Sequence, residues 1–303
     1  MTKSETLSDI GEFGLIDKLR RTVHSGRARL AIGDDAAVLP YSRSRDELLA
    51  ADMLAEGVHF KKTTDPRLIG RKAINSCISD IAAMGGLPRF AVISLGVPAR
   101  RPVKDIRELY AGINSAARKF DCGIVGGDTI KSPKLIINVA MTGLVQRSQL
   151  VRRSGARPGH IIMVTGPLGN SLKSGHHLKF TPRVDAAQYL VKHFKPSAMI
   201  DVSDGFLADL AHILEESGVG ARIYEDRLPM RQGATLRRAL CDGEDFELLF
   251  TLTKTKAAKL LTAKTRGLRF YPVGEITAKG LTFMTKKTSA ITLKHRGYDH
   301  YRR

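Results

Sequence analysis

The stretch LIGRKAINSCISDIAAMGGLPRFAVISLGV, residues 68–97, sets a helix directly before a strand. Its first part is apolar at helical spacing and free of proline. That predicts a helix over 68–84, stopped by Gly85, Gly86 and Pro88. Its second part, RFAVISLGV, is short and β-branched with proline beside it, the pattern of a strand. The same alternation runs outward to both ends. LAIG, ELLAAD, GIVGG, LIINVAMTGLV, HIIMVTG, AMIDV, FELLFTL and FYPVGEI read as strands. Residues 103–120 and 206–216 read as helices, the second stopped by Gly218. Both halves mix the two elements, so the expected class is α/β or α+β. At 303 residues there is room for two ordinary domains. The polar, basic, turn-rich run QRSQLVRRSGARPG (146–159) marks the boundary, giving domains 1–148 and 149–303.

Composition narrows the class of protein. A hydrophobic share of 43% with 26% charged residues is the balance of a chain that buries a core. The N-terminus has no apolar signal region, and no apolar run approaches the roughly 18 residues of a membrane span. Three widely spaced cysteines, Cys77, Cys122 and Cys241, form no CxxC pair or disulfide framework. Together these predict a cytoplasmic protein without a membrane partner. The net charge is +19. Its basic residues are scattered, with no arginine-rich arm and no aromatic-interleaved RNA-binding signature. A solvated cationic surface therefore accounts for the charge better than a nucleic-acid site, and it would attract anionic nucleotides.

Acids are the scarce residues, so their positions carry information. Asp34 and Asp35, Asp52, Asp128, Asp201 and Asp204 each follow an apolar or glycine-rich run, which delivers them to strand ends, where clefts form. Asp80 instead lies inside the first helix. There Asn75, Ser76, Ser79 and Asp80 share a face and draw a narrow polar stripe on an apolar element. Aspartate is a poor interior helix former, so a partner should compensate for it. Carboxylates meeting at one cleft suit Mg2+, which takes oxygen ligands together with phosphate oxygens. Phosphoryl transfer needs that positioning and charge neutralisation more than covalent catalysis. Taken singly, each acid also has an ordinary reading. Asp204 fits a helix N-cap, Asp34 and Asp35 a turn, Asp128 a loop, Asp52 a strand-end ion pair, and His59 a structural histidine. No GxxxxGK[ST] loop and no protein-kinase signature is present, so an ATP site here belongs to another fold.

The ordered set of motifs is more specific than any member. GEFGLI, IGDDAAVL, ADMLAEGVHF, SDIAAMGGLP, GGDT, RRSGARPG, VTGPLGNS, IDVSDGF, SGVGARI, GEDFELLF and GYDHY resemble the thiamine-monophosphate kinases, in that family's order and over nearly the whole chain. The resemblance implies a two-domain subunit of the aminoimidazole ribonucleotide synthetase-like type. It also implies a homodimer formed through the N-terminal sheet, with ATP and several Mg2+ held between the domains. Carried over by position, Asp35, Asp52, Asp80, Asp128, Asp201 and Asp204 are implied metal ligands. Gly127, Asp128, Arg153 and Ser203 are implied nucleotide contacts, with Asp128 and Arg153 nearest the chemistry. His59, Glu244 and Tyr301 are implied contacts to thiamine monophosphate. The implied reaction is direct in-line transfer of the γ-phosphate of ATP to that acceptor. Three departures stand out: Ala50 and Ala51 replace the hydroxyl residues usual before the second aspartate, Ile130 follows GGDT where threonine is usual, and the stretch LKSGHHLKFTPRVDAAQYL (172–190) is short and unlike the family pattern. Two other functions compete. One is a sister ATP-dependent enzyme acting on another small phosphorylated substrate. The other is a nucleotide- or nucleic-acid-binding protein with degenerate catalysis.

Overall fold

The computed structural model describes residues 5–265, 267–285, 290–292, 298, 300 and 301. Its strands form two mixed sheets. The first contains β1 (Ala37–Pro40), β2 (Arg45–Ala55), β3 (Leu87–Val97), β4 (Gly123–Lys131) and β5 (Ile136–Gln146), in the order β1-β2-β5-β3-β4. All its pairings are antiparallel except β3–β4. A parallel pair needs a crossover, and helix Val103–Ala117 supplies it. The second sheet contains β6 (Ile161–Val164), β7 (Ala198–Asp201), β8 (Gly220–Tyr224), β9 (Leu248–Leu252), β10 (Tyr271–Thr277), β11 (Leu281–Met284) and β12 (Ala290–Thr292). Its order is β12-β11-β8-β10-β6-β9-β7.

The helices are α1 (Leu7–Arg20), α2 (Pro66–Ala83), α3 (Val103–Ala117), α4 (Ser171–Ser174), α5 (His176–Lys179), α6 (Val184–His193), α7 (Phe206–Ser217), α8 (Leu236–Cys241) and α9 (Lys254–Thr262). α2 is the axis of the molecule. Asp65 caps it by accepting from Arg67 N at 2.8 Å, and Pro66 occupies its first turn. It touches β2, β3 and β5 on one side and α5, α6 and β7 on the other. A helix enclosed on both sides is buried nearly all round, so its polar residues Lys72, Asn75, Ser76 and Ser79 are buried with the apolar ones and need partners. Where α2 crosses α3, a Cβ at Gly70 would lie 2.0 Å from Leu109 O, and one at Gly112 would lie 2.0 Å from Arg67 O. Only glycine lets these two backbones approach so closely.

One core runs from the inner face of the first sheet through α2 and α6 to one face of the second sheet, ending on Phe250 and Phe270. A second core, with Phe206, Leu210 and Val273, lies under α7 on the other face. The outer face of the first sheet is different. Leu49, Met53, Phe90, Val92, Val125 and Ile130 are all exposed there or along its β4 edge.

The mixed α/β class agrees with the sequence expectation. The helix expected over 68–84 is α2. The one expected over 103–120 is α3 followed by a 3-10 turn, Arg118–Phe120, and the one over 206–216 is α7. LAIG is a correction: it forms only an isolated bridge, Leu30 to Val38, because too few residues align to make a ladder. α1 escaped the periodicity reading because Gly11, at φ 71°, interrupts it with a kink.

Candidate active site

The polar stripe on α2 faces the second sheet and brings the acids together. One carboxylate oxygen each from Asp35, Asp80 and Asp201 lies within 4.8 Å of the others. Asp35 comes from the segment before β1, Asp80 from the last turns of α2, and Asp201 from the end of β7. Ser79 Oγ donates to Asp201 Oδ2 at 2.6 Å. Arg153 Nη2 donates to Asp35 Oδ1 at 2.6 Å, and Arg153 N donates to Asp34 Oδ2 at 3.2 Å. Asp35 Oδ2 is buried and has no hydrogen-bond partner.

Such a group is costly by itself. Burial, reinforced by the neighbouring Asp35, pushes Asp34 and Asp201 each up to about 7. Burial, then the charges of Asp201, Asp52 and Asp35, raises Asp80 well above the ordinary carboxylate range. Asp209 is raised in the same way by burial and by Asp204 and Asp201. An all-oxygen donor set with an orphaned, buried carboxylate oxygen fits Mg2+, which compensates such charge.

The other expected residues divide into two sets. Asp52 lies on the inner face of β2. Burial raises its carboxyl, opposed by a hydrogen bond from Met53 N and by the charge of Lys72. Strand alternation places Ala50 on the same face and leaves Ala51 exposed on the opposite one. Of the two alanine departures, only position 50 therefore shares the face of Asp52. Asp204 is not the helix cap: Gly205 holds that position, and Asp209 Oδ2 accepts from the backbone N–H groups of Asp204 and Gly205 at 3.2 and 3.1 Å. The Ser203 carbonyl accepts from Glu244 N at 2.7 Å.

Asp128 and Gly127 lie apart. They sit exposed on β4, an edge strand. The ladder runs from Gly127 to Ile93, from Ile93 to Val139 and from Val139 to Asp52. Three strand spacings, about 14 Å, thus separate β4 from Asp52. Gly127 also has a packing reason, since a Cβ there would meet Ile93 O at 1.8 Å. One chain does not bring Asp128 to the other acids.

His59, Glu244 and His300 form a second corner, with Lys72 joining the first two. His59 Nδ1 accepts from Ala55 N at 3.1 Å, which leaves Nε2 as the N–H donor of a neutral ring. Burial, then the charge of Lys72, lowers this histidine to about 4. The His300 ring lies 5.3 Å from it, and Tyr298 N donates to the Asp204 carbonyl at 3.0 Å. Tyr301 is exposed. A cleft of about 540 Å³, walled by Phe13, Ile16, Ile32 and Leu49, opens beside Asp34, Asp35 and Arg153. α1 forms its wall by docking on α7, with the Phe13 and His212 rings 4.5 Å apart and Arg20 paired to Glu216 at 2.9 Å. A cleft of about 590 Å³ near Arg89 and Gln188 contains none of the clustered carboxylates, and its size does not make it the reactive one.

Asp34 is one of the strand-end acids of the sequence but not one of the implied ligands, and two further residues of the site, Asp209 and Lys72, belong to neither set. Asp209 interrupts the apolar helix FLADLAHIL as Asp80 interrupts α2, so the same rule applied twice would have found it. Lys72 extends the α2 stripe backward at steps of four, 80, 76, 72.

Fold and site together define a two-domain protein of the AIR synthase related class. The AIR synthase related N-terminal domain matches residues 33–145, and the corresponding C-terminal domain matches residues 161–287. The chain is 36% identical to the thiamine-monophosphate kinase of Aquifex aeolicus, over 82% of this chain and 88% of the relative. It is 34% identical to that of Bacillus subtilis, over 96% and 99%. The solved structure of AaThiL complexed with AMPPCP and TMP superposes with a TM-score of 0.87 at 32% identity, covering 99% of this chain and 100% of the other. The chain belongs to the thiamine-monophosphate kinase family.

Proposed function

We propose that this protein transfers the γ-phosphate of ATP directly to thiamine monophosphate, giving thiamine diphosphate and ADP. The observation that carries the reading is the buried convergence of Asp35, Asp80 and Asp201, with Asp35 Oδ2 left without a partner. A pure binding protein has little use for that much mutual repulsion. The relatives' names and the ligands of the AaThiL complex point to the same substrates.

In this reading Asp35, Asp80 and Asp201 would hold Mg2+, and Asp52 and Asp204 would complete the set. Bound Mg2+ supplies charge neutralisation to the polyphosphate. The chain's own groups do the rest. Arg153, fixed by Asp34 and Asp35, opposes the negative charge where two anions must meet. Ser203 is read as a nucleotide contact, its carbonyl tied to the Glu244 backbone N–H. His59, Glu244 and Tyr301 receive the thiamine end. An oxygen of the acceptor phosphate forms the new bond to γ-phosphorus as the bond to the β,γ-bridging oxygen breaks. The acceptor is already anionic, so no strong general base is needed.

Gly127 and Asp128 join the nucleotide end when two copies pair through the N-terminal sheet. The exposed apolar residues Leu49, Met53, Phe90 and Val92 on that sheet support such a homodimer. We divide the domains at 148/149, in the link between β5 and β6. No helix among the described residues is long and apolar enough to cross a membrane, and the three cysteines form no disulfide, which is consistent with a cytoplasmic setting.

The direct test incubates purified protein with ATP, Mg2+ and thiamine monophosphate and follows thiamine diphosphate by chromatography, with an EDTA control. Metal-dependent product is expected. ATP consumption without it would move the reading to a sister enzyme with another acceptor. Asp128→Asn is expected to abolish turnover without changing the melting temperature, since this exposed side chain packs against no core. Wild-type rates in that variant would remove Asp128 from the machinery.

A further inference from the structure

Lys72 is among the largest fully buried side chains of the described residues and belongs to no role assigned above. Its side chain is 0% exposed. Nζ donates to the His59 carbonyl at 3.0 Å and is paired with Glu244 Oε1. Its charge also reaches Asp52. An ammonium withdrawn from water is costly unless paired and hydrogen-bonded. Leucine or methionine would fill an apolar helix at no such cost.

Its two partners come from different halves of the chain. Glu244 lies 172 residues from Lys72, in a loop with unusual backbone geometry. Glu244 has φ 63° and Phe246 φ 51°, the left-handed region that non-glycine residues avoid. The loop persists because its surroundings over-determine it. Glu244 N donates to Ser203 O, Ser171 Oγ donates to the Glu244 carbonyl at 2.5 Å, and Phe246 stacks on Phe180 with centroids 3.9 Å apart. These contacts hold the backbone. Lys72 holds the carboxylate.

We propose that Lys72 is a positioning residue for acceptor recognition, one buried cation that fixes the Glu244 carboxylate and the His59 backbone as a single corner spanning both halves. The inference rests on the acceptor reading given above. Glu244 keeps one fifth of its side chain accessible while its Oε1 is anchored on the fully buried Lys72. The His59 ring is oriented through the same segment, whose carbonyl Lys72 holds. α2 thereby links acceptor binding to the carboxylate cluster, since the same stripe ends in Ser79 and Asp80.

A purely structural latch and a positioning residue differ in kinetics. In Lys72→Met the KM for thiamine monophosphate is expected to rise about tenfold or more, as loss of a charge-assisted contact implies, with the KM for ATP nearly unchanged. Lys72→Arg should restore part of the acceptor KM. The double variant K72M/E244Q removes both charges, so its melting temperature should recover toward wild type while the acceptor KM stays high. It also serves where Lys72→Met alone folds poorly. An acceptor KM unchanged in Lys72→Met, or ATP and acceptor KM rising in equal proportion, overturns the inference while leaving the kinase reading intact. Absence of thiamine diphosphate from the wild type removes the kinase reading, and this inference with it.

Discussion

Asp80→Asn is expected to lose about two to three orders of magnitude in turnover while the metal-free protein melts at a higher temperature. The two effects share one cause. Asp80 is packed in α2 against Asp35 and Asp201, with Asp52 also contributing negative charge. Without a cation these carboxylates repel one another in a medium that screens poorly. Asparagine keeps the volume and removes a charge, so the apo fold relaxes. The same change removes an anionic oxygen where a phosphoryl donor needs its counter-charge held. The stability gain should grow as pH rises, because burial and the charges of Asp201, Asp52 and Asp35 favour the uncharged form of Asp80, which asparagine mimics. Circular dichroism melts in EDTA, paired with the chromatographic assay, measure both. Full activity, or a metal-free melting temperature well below wild type at pH 8, would mean that Asp80 is an ordinary structural acid.

The second large effect is a metal-linked stability that grows with pH. Asp34 and Asp201 titrate near 7 in the folded protein, against an ordinary value of 3.8. The folded state therefore binds protons more tightly than the unfolded chain. Stability from these groups is complete below the unfolded value and is lost as pH rises through about 7. His59 and His176, each lowered to about 4, contribute with the opposite sign, but their contribution is complete above the unfolded value of 6.5. Between pH 6.5 and 8.5 the carboxylates dominate, and the melting temperature in EDTA should fall. Mg2+ competes with the protons for the same oxygens, so the rise in melting temperature on adding it should increase across that interval. A Mg2+ effect of equal size at pH 6.5 and 8.5 would separate the carboxylate group from the metal.

The parts of the fold that were legible carry strong local periodicity. α2 shows a helical apolar pattern with glycine and proline at its end, and β2, β3 and β5 alternate or run apolar over 11 residues each. Among the elements missed, α6 and α9 do carry a helical apolar period and were overlooked, whereas others lack one. α4 and α5 have four residues each, too few for a period to repeat, and β8 starts on the Val219–Gly220 step directly after α7. In the site, acids after apolar runs were visible because only 30 acidic residues stand against 49 basic ones, which makes each position informative. Lys72 was hidden by the same arithmetic, being one of many lysines.

The sequence alone determined the mixed class, α2, α3 and α7, the long strands β2, β3 and β5, the polar stripe on α2 and which acids follow apolar runs, because these rest on periodicities of two and 3.6 residues. It could not say which of those residues meet. Asp201 accepts from Ser79, and Lys72 pairs with Glu244, only because α2 lies between the two sheets and turns its stripe toward β7 and the 242–247 loop. Local pattern records which face of a helix is polar. Only the packing of both halves decides what that face touches, and the charge of each buried group depends on those contacts.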